Sequence, residues 1–214
     1  MRILVKKGGP LTTLQDLGRY GYQKFGVLVS GAMDDVSLRL SNLLVQNDPG
    51  EGALEMTMSG PVLVLPAGLV FALTGADMKA TLGGKPVPRY RPIYVRKEAI
   101  LTFGFAQTGS RAYLSVAGGF DVPQVMESKS TYLRAKIGGV KGRPIDKGDE
   151  LPIGTIGPHQ AAFVGRMDAA PRKEIPLSRF PGPLMAALSL LKAPSASWKG
   201  SNTIGSQRKA SAPL

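Results

Sequence analysis

Apolar and polar residues in this chain mostly alternate, and only one stretch repeats at helical spacing. RILVKK (2–7) reads as a first strand, ended by Gly8–Gly9–Pro10. From residue 53 the pattern is β: ALEMTM (53–58), PVLVL (61–65), 69–74, KATL (79–82), IYVR (93–96), AILTFG (99–104) and RAYLSV (111–116). Gly–Pro, Pro–Ala–Gly and Gly–Gly–Lys–Pro separate these runs, as turns between short strands require. The helical stretch is DDVSLRLSNLLVQ (34–46), where Val36, Leu40, Leu43 and Leu44 share one face. Asp34 and Asp35 sit at its start, where the helix dipole favours negative charge, and Asn47–Asp48–Pro49–Gly50 stops it. Residues 10–32 predict a long loop, too long for a casual connection and too apolar for disorder. Residues 120–143 are irregular and basic, and 144–153 read as a turn feeding a last short strand. The alternation ends near residue 158. Residues 158–214 are expected to be an aperiodic, poorly ordered tail, with PLMAALSLL (183–191) long enough for two helical turns. The expected fold is mainly β, a barrel or sandwich over 1–157 with one short helix near 34–46.

Composition sharpens this picture. The 27 glycines and 17 prolines disfavour a helical bundle. The longest uncharged stretch, 56–76, has the length of a membrane span. Gly60, Pro61, Pro66, Gly68 and Gly75 break it into two buried strands instead. The first apolar run, Ile3–Leu4–Val5, is too short for a signal-peptide core, so a cytoplasmic protein without a membrane partner is expected. With no cysteine and a single histidine, His159, the chain cannot build a disulfide scaffold, a thiol nucleophile, a histidine triad or a multi-histidine metal site. No metal site is expected, and acid–base work falls to carboxylates, Lys or Tyr. The net charge of +12 suggests nucleic acid at first sight, but half of it lies in residues 160–214. The rest is dispersed without stacking aromatics or a nucleic-acid signature, so no nucleic-acid partner is expected.

Several residues are candidates for chemistry. Gln15, Asp16 and Arg19 share one glycine-bounded loop, QDLGR. There a guanidinium fork can orient a polar substrate, or Asp16 can accept backbone N–H groups and pair with Arg19. Asp34 reads as a helix-start carboxylate. Glu55 lies in an otherwise apolar strand. If buried it needs a partner or a shifted pKa, but alternation, the reading the pattern favours, turns it to solvent. Asp77 ends a strand, where turn formation is the common role. Ser128, Ser130, Thr131 and Arg134 can bind an anion or merely hydrate a loop.

TTLQDLGRYGYQKFGVLVSGAMDDVSLRLSNLLVQND, ALEMTMSGP, TGAD, GSRAYLSVAGGFDVP and SKSTYLRAKIGGVKGRPIDKGDELP follow in order over residues 3–153. Together they resemble the allophanate hydrolase subunit 2 family. That family includes the C-type subunit of 5-oxoprolinase, the Kip-type proteins and the biotin-dependent carboxyltransferase region of urea amidolyase. The long first block is the specific one; TGAD alone is weak. The resemblance implies cyclophilin-like β-barrels in two related lobes, working with a subunit 1-type protein and a lactam-utilisation subunit. It implies ATP-dependent ring opening of 5-oxoproline to glutamate, with ATP held elsewhere in the complex because no nucleotide loop is present. The alternatives are a non-catalytic regulatory partner of a subunit 1-type protein, or part of a biotin-dependent carboxyltransferase. The matching motif positions are Gln15, Asp16, Arg19, Ser30, Asp34, Glu55, Asp77, Arg134 and Arg143. Of these, Gln15, Asp16, Arg19, Glu55 and Asp77 are the catalytic candidates, and Ser30, Asp34, Arg134 and Arg143 the substrate- or anion-binding ones. The second lobe's QSDRMGYRL-like and DRQTTGGYP-like segments are missing, and NTIGSQR (202–208) alone is akin to the first. A chain truncated or frameshifted after about residue 178, with its second lobe missing, is therefore expected.

Overall fold

A computed structural model describes residues 1–169. The helical turns expected at 183–191, the NTIGSQR segment and the tail beyond 169 lie outside the described residues. One sheet contains β1 (Arg2–Lys7), β4 (Val62–Leu65), β6 (Thr81–Leu82), β7 (Lys85–Pro86), β9 (Ala99–Thr102) and β11 (Glu150–Pro152). Its order is β11-β1-β4-β9-β6-β7. The other contains β2 (Thr12–Gln15), β3 (Ala53–Thr57), β5 (Val70–Asp77), β8 (Pro92–Tyr94) and β10 (Thr108–Val116), in the order β2-β3-β10-β5-β8. The ladders are antiparallel. The mainly β fold read from the sequence is thus two sheets enclosing one core.

Alternation decides what enters that core. Ile3 and Val5 of β1, Leu63 and Leu65 of β4 and Leu101 of β9 point inward and are buried. They meet Leu54 and Met56 of β3, Phe71 and Leu73 of β5, and Leu114 of β10. The six-stranded sheet leaves its outer face to water: Leu4 and Ile100 are exposed there. The five-stranded sheet does not, because α1 (Asp35–Leu44) lies across it. Small hydroxyl residues allow the close approach. Ser41 Oγ and Ser115 Oγ are 2.7 Å apart, and Thr74 Oγ1 donates to the Ser37 carbonyl at 2.7 Å. The central strands β5 and β10 are therefore buried on both faces along most of their length.

Three expectations are corrected. Val36 is exposed, and Leu38, with no exposed surface, packs under α1 in its place. The helix buries the face through Leu38, Ser41 and Leu44, and Val36 lies off it. The expected loop 10–32 opens with β2, whose four residues are buried against β3 and the 129–131 segment. The expected tail opens with α2 (Pro158–Ala169), which places Phe163 and Met167 against Leu44, Val45, Val70 and Ala117. A weakly amphipathic sequence folds there because the barrel end supplies an apolar seat. Gln160 Nε2 fastens it by donating to the Gln46 carbonyl and Asn47 Oδ1. Among the described residues no helix is long and apolar enough to cross a membrane.

Candidate functional site

The structure gathers Gln15, Asp16, Arg19, Ser30, Asp34 and Glu55 into two neighbouring groups, joined by residues 30–34. The first is built on Asp16. Its carboxylate accepts from the Gly18 N–H at 2.7 Å, Ser128 Oγ at 2.8 Å, the Lys129 N–H and Ser130 Oγ. Arg19 is almost wholly buried and donates from Nη2 to the Ser130 carbonyl and from Nε to the Val125 carbonyl. Burial lowers the Arg19 pKa, and the nearby Asp16 charge opposes that shift. Gln15 donates from Nε2 to Thr13 Oγ1 at 2.9 Å, and Ser30 Oγ donates to the Thr131 carbonyl at 2.9 Å. The expected hydrogen-bonded Asp16–Arg19 pair is not formed, because each side chain is taken up by the 125–131 segment. Ser128 and Ser130 serve the Asp16 carboxylate and do not form an open anion cradle.

This clasp depends on backbone packed directly on backbone. Gly138 has φ +68°, and a Cβ there would stand 2.1 Å from the Ser130 carbonyl oxygen and 2.7 Å from Arg19 Nη2. The first group therefore holds residues 125–143 to the barrel rather than facing a ligand.

The second group faces open space. Glu55 lies on the outward side of β3, as alternation predicts, yet it is buried because α1 and the 30–34 segment cover that side. Its Oε2 accepts from the Tyr113 hydroxyl at 2.7 Å and the Met33 N–H at 2.9 Å. Its Oε1 lies 3.4 Å from Arg111 Nε. The Tyr113 hydroxyl in turn accepts from the Asp34 N–H at 2.8 Å. Burial, reinforced by the hydrogen bond to Glu55, holds the phenol well above its ordinary pKa, so it stays protonated and donates. Asp34 caps α1, accepting from the Ser37 N–H at 2.9 Å and Ser37 Oγ at 2.6 Å.

Above this group lies a cleft of about 610 Å³ lined by Met33, Asp34, Val36, Ser37, Gly75, Ala76, Tyr90 and Thr108–Arg111. A register shift between β10 and β5 opens it, with Thr108 opposite Asp77 but Ala112 opposite Gly75. Gly75 has φ +80°, and a Cβ there would sit 2.4 Å from the Arg111 carbonyl. Bulges of this kind re-aim side chains beside functional sites. Here it sets Ser110 and Arg111 on the cleft wall. Arg111 Nη1 donates to Thr57 Oγ1 at 2.9 Å, and the Glu55 carboxylate stands at ion-pair distance from Nε, which makes no hydrogen bond. The geometry thus presents one positioned guanidinium, with hydroxyls nearby, to a compact carboxylate, amide or carbonyl. Asp34 and Arg111 are the charged residues of the lining.

The remaining candidates stand apart. Asp77 closes a turn by accepting from the Lys79 N–H at 2.9 Å and Nζ at 2.9 Å. Arg134 is exposed on a loop. Arg143 makes a bidentate pair with the buried Asp149, both bonds at 2.7 Å, and braces the 143–149 turn. Tyr113 and Arg111 were missed from sequence. Both sit in RAYLSV, which read as ordinary strand; their partner is Glu55, opposite Tyr113 in a ladder that one sequence does not reveal.

The family described as carboxyltransferase domain, subdomain A and B, matches residues 25–199. The chain belongs to this family. This carboxyltransferase-domain protein is 43% identical over 148 residues to the C-type subunit of 5-oxoprolinase from Escherichia coli, covering 69% of this chain and 48% of that protein. It is 41% identical over 144 residues to urea amidolyase of Saccharomyces cerevisiae, covering 67% of this chain and 8% of the relative. The carboxyltransferase-domain fold recurs in the crystal structure of Kluyveromyces lactis urea carboxylase, with TM-score 0.70, 38% identity, and coverage of 74% of this chain and 14% of that one. The family read from the motifs of residues 3–153 is the one these matches show. The chain spans less than half the length of the 5-oxoprolinase relative, whose name places it in an enzyme of several subunits.

Proposed function

We propose that this protein is one component of a 5-oxoprolinase-type assembly, in which ATP hydrolysis drives the addition of water across the lactam C–N bond of 5-oxoproline to give glutamate. The observation that carries this reading is the Arg111 guanidinium, hydrogen-bonded to Thr57 at 2.9 Å and paired in charge with buried Glu55 at 3.4 Å, on the wall of the α1 cleft. A fixed guanidinium beside hydroxyls suits a small ligand with a carboxylate and an amide carbonyl, because its planar fork matches both acceptors. The identity to one subunit of a 5-oxoprolinase supports the same reading. The cleft does not suit a nucleotide: a triphosphate needs several cations, and the charged lining is Arg111 with Asp34. ATP in this reading is bound by the partner subunits, a subunit 1-type protein and a lactam-utilisation protein.

A second reading rests on the likeness to urea amidolyase and urea carboxylase. In it the protein is part of a biotin-dependent carboxyltransferase, and biotin would supply the carboxyl group on a carrier. The test is 5-oxoproline-dependent ATP hydrolysis by the full chain combined with its two partner subunits. Activity that requires this chain, and falls about 100-fold or more with Arg111→Met, supports the first reading. Activity that instead requires a biotinylated carrier and bicarbonate replaces it with the second. Stable partner binding with neither activity leaves a regulatory module.

A further inference from the structure

Three loops leave the barrel from the Asp16–Arg19 clasp. Residues 20–28 are closed at their base by the Arg19 N–H donating to the Val29 carbonyl at 2.8 Å. Residues 126–127 are the tip of a hairpin closed by the Val125–Ser128 bridge, whose Val125 carbonyl accepts from Arg19 Nε. Residues 133–136 project from the Tyr132–Ile137 bridge, next along the chain from Ser130 and Thr131. The side chains that tie these bases together are buried, so the three loops rise from one shared anchor.

Their tips are unusual for a surface. In the first loop Tyr20 is 66% exposed, Phe25 70% and Leu28 54%, and Met126 and Leu133 are exposed on the other two. Met126 and Glu127 both hold positive φ, +53° and +59°, a conformation that non-glycine residues rarely adopt. Strain of that sort persists only where surrounding structure over-determines it, and here the Asp16 and Arg19 bonds to both sides of the tip do so. The charge among the tips is one-sided. Lys24, Arg134 and Lys136 are set against Glu127 alone, and these three cations form no ion pair among the described residues. The Lys24 ammonium instead lies 5.0 Å from the centre of the Phe25 ring.

We propose that this loop face is the docking surface for the subunit 1-type partner, which presents an apolar patch rimmed by carboxylates. Aromatic anchors on pre-ordered loops lose little freedom on binding. Flanking cations match an acidic rim and exclude basic surfaces. The inference rests on the reading that the protein works in a multi-subunit assembly, and it adds where the partner sits and what chemistry it brings.

The test measures binding of the full chain to the purified subunit 1-type protein by titration calorimetry. The triple variant Tyr20→Ser, Phe25→Ser, Leu28→Ser is expected to bind about 100-fold more weakly. The triple Lys24→Glu, Arg134→Glu, Lys136→Glu is expected to lose about tenfold and to flatten the salt dependence. Both alter exposed side chains, and an unchanged melting temperature shows that the fold is kept. A matched control on the other sheet, Leu4→Ser with Ile100→Ser, is expected to stay within about twofold of wild type. Wild-type affinity in the apolar triple, or loss in the control instead, overturns the proposal and leaves the multi-subunit reading standing. So does self-association of the wild type that the triple abolishes, since the face would then belong to a second copy. Failure of the wild type to bind the subunit 1-type protein at all overturns that reading and the docking surface with it.

Discussion

Replacing Tyr113 with Phe tests whether the Glu55 group is the keystone of the cleft. The ring is wholly buried, so the substitution keeps the packing and removes one oxygen. That oxygen accepts from the Asp34 N–H at 2.8 Å and donates to Glu55 Oε2 at 2.7 Å. A hydrogen bond to a charged group contributes about 1.5–3 kcal/mol, and a buried donor left unpaired costs about 1–3 kcal/mol. Glu55 keeps the Met33 N–H and Arg111, which offsets part of the loss. The expected destabilisation at pH 7 is about 3 kcal/mol, and at roughly 2–4 °C per kcal/mol the melting temperature falls by about 6–12 °C. Urea unfolding should show a lower midpoint at unchanged slope. Alkaline pH supplies the second arm. The folded-state phenol has a raised pKa, so its contribution is fully present below the unfolded value of about 10 and is lost as pH rises beyond it. The stability gap between wild type and variant should therefore narrow above pH 10. A gap under about 0.5 kcal/mol at pH 7, or one that widens with alkali, would refute the reasoning.

Other outcomes follow from the same geometry. Glu55→Ala leaves the partly buried Arg111 guanidinium without its anion and should cost about 3–5 kcal/mol, while Glu55→Gln should cost less; chemical denaturation of the pair checks the order. Gly138→Ala drives a methyl to 2.1 Å from the Ser130 carbonyl at φ +68°, so a loss of about 3 kcal/mol or more is expected, read as lower expression and an earlier melt. The hydrogen bond from Arg143 holds the Asp149 carboxyl below its ordinary range. Its contribution is present above the unfolded pKa of about 4 and is lost as pH falls through the folded value, so Asp149→Asn should flatten the acid limb of the stability curve.

Much of the architecture was legible in the residues themselves. Period-two alternation in β1, β4 and β9 and turn residues between short strands specify a β fold, because each strand has one wet face and one dry face. Asp34 was readable as a cap because the bond it makes reaches only three residues along the chain. The motif blocks over 3–153 were enough to point to the family. The role of Glu55 was not legible. Alternation placed it correctly on the outer side of β3, but only the packing of α1 across that side makes it buried. Nor could the sequence separate two fates for polar loop residues. Asp16 and Arg19 read as partners of a substrate or of each other, yet a segment more than a hundred residues later takes up both. Arg111 looked like an ordinary strand residue, yet a register shift and a glycine at 75 open the cleft beside it. Local periodicity reports which face of an element is dry. Which element covers that face, and which distant carbonyl or carboxylate meets a side chain there, is decided by long-range contacts that exist only once the chain is folded.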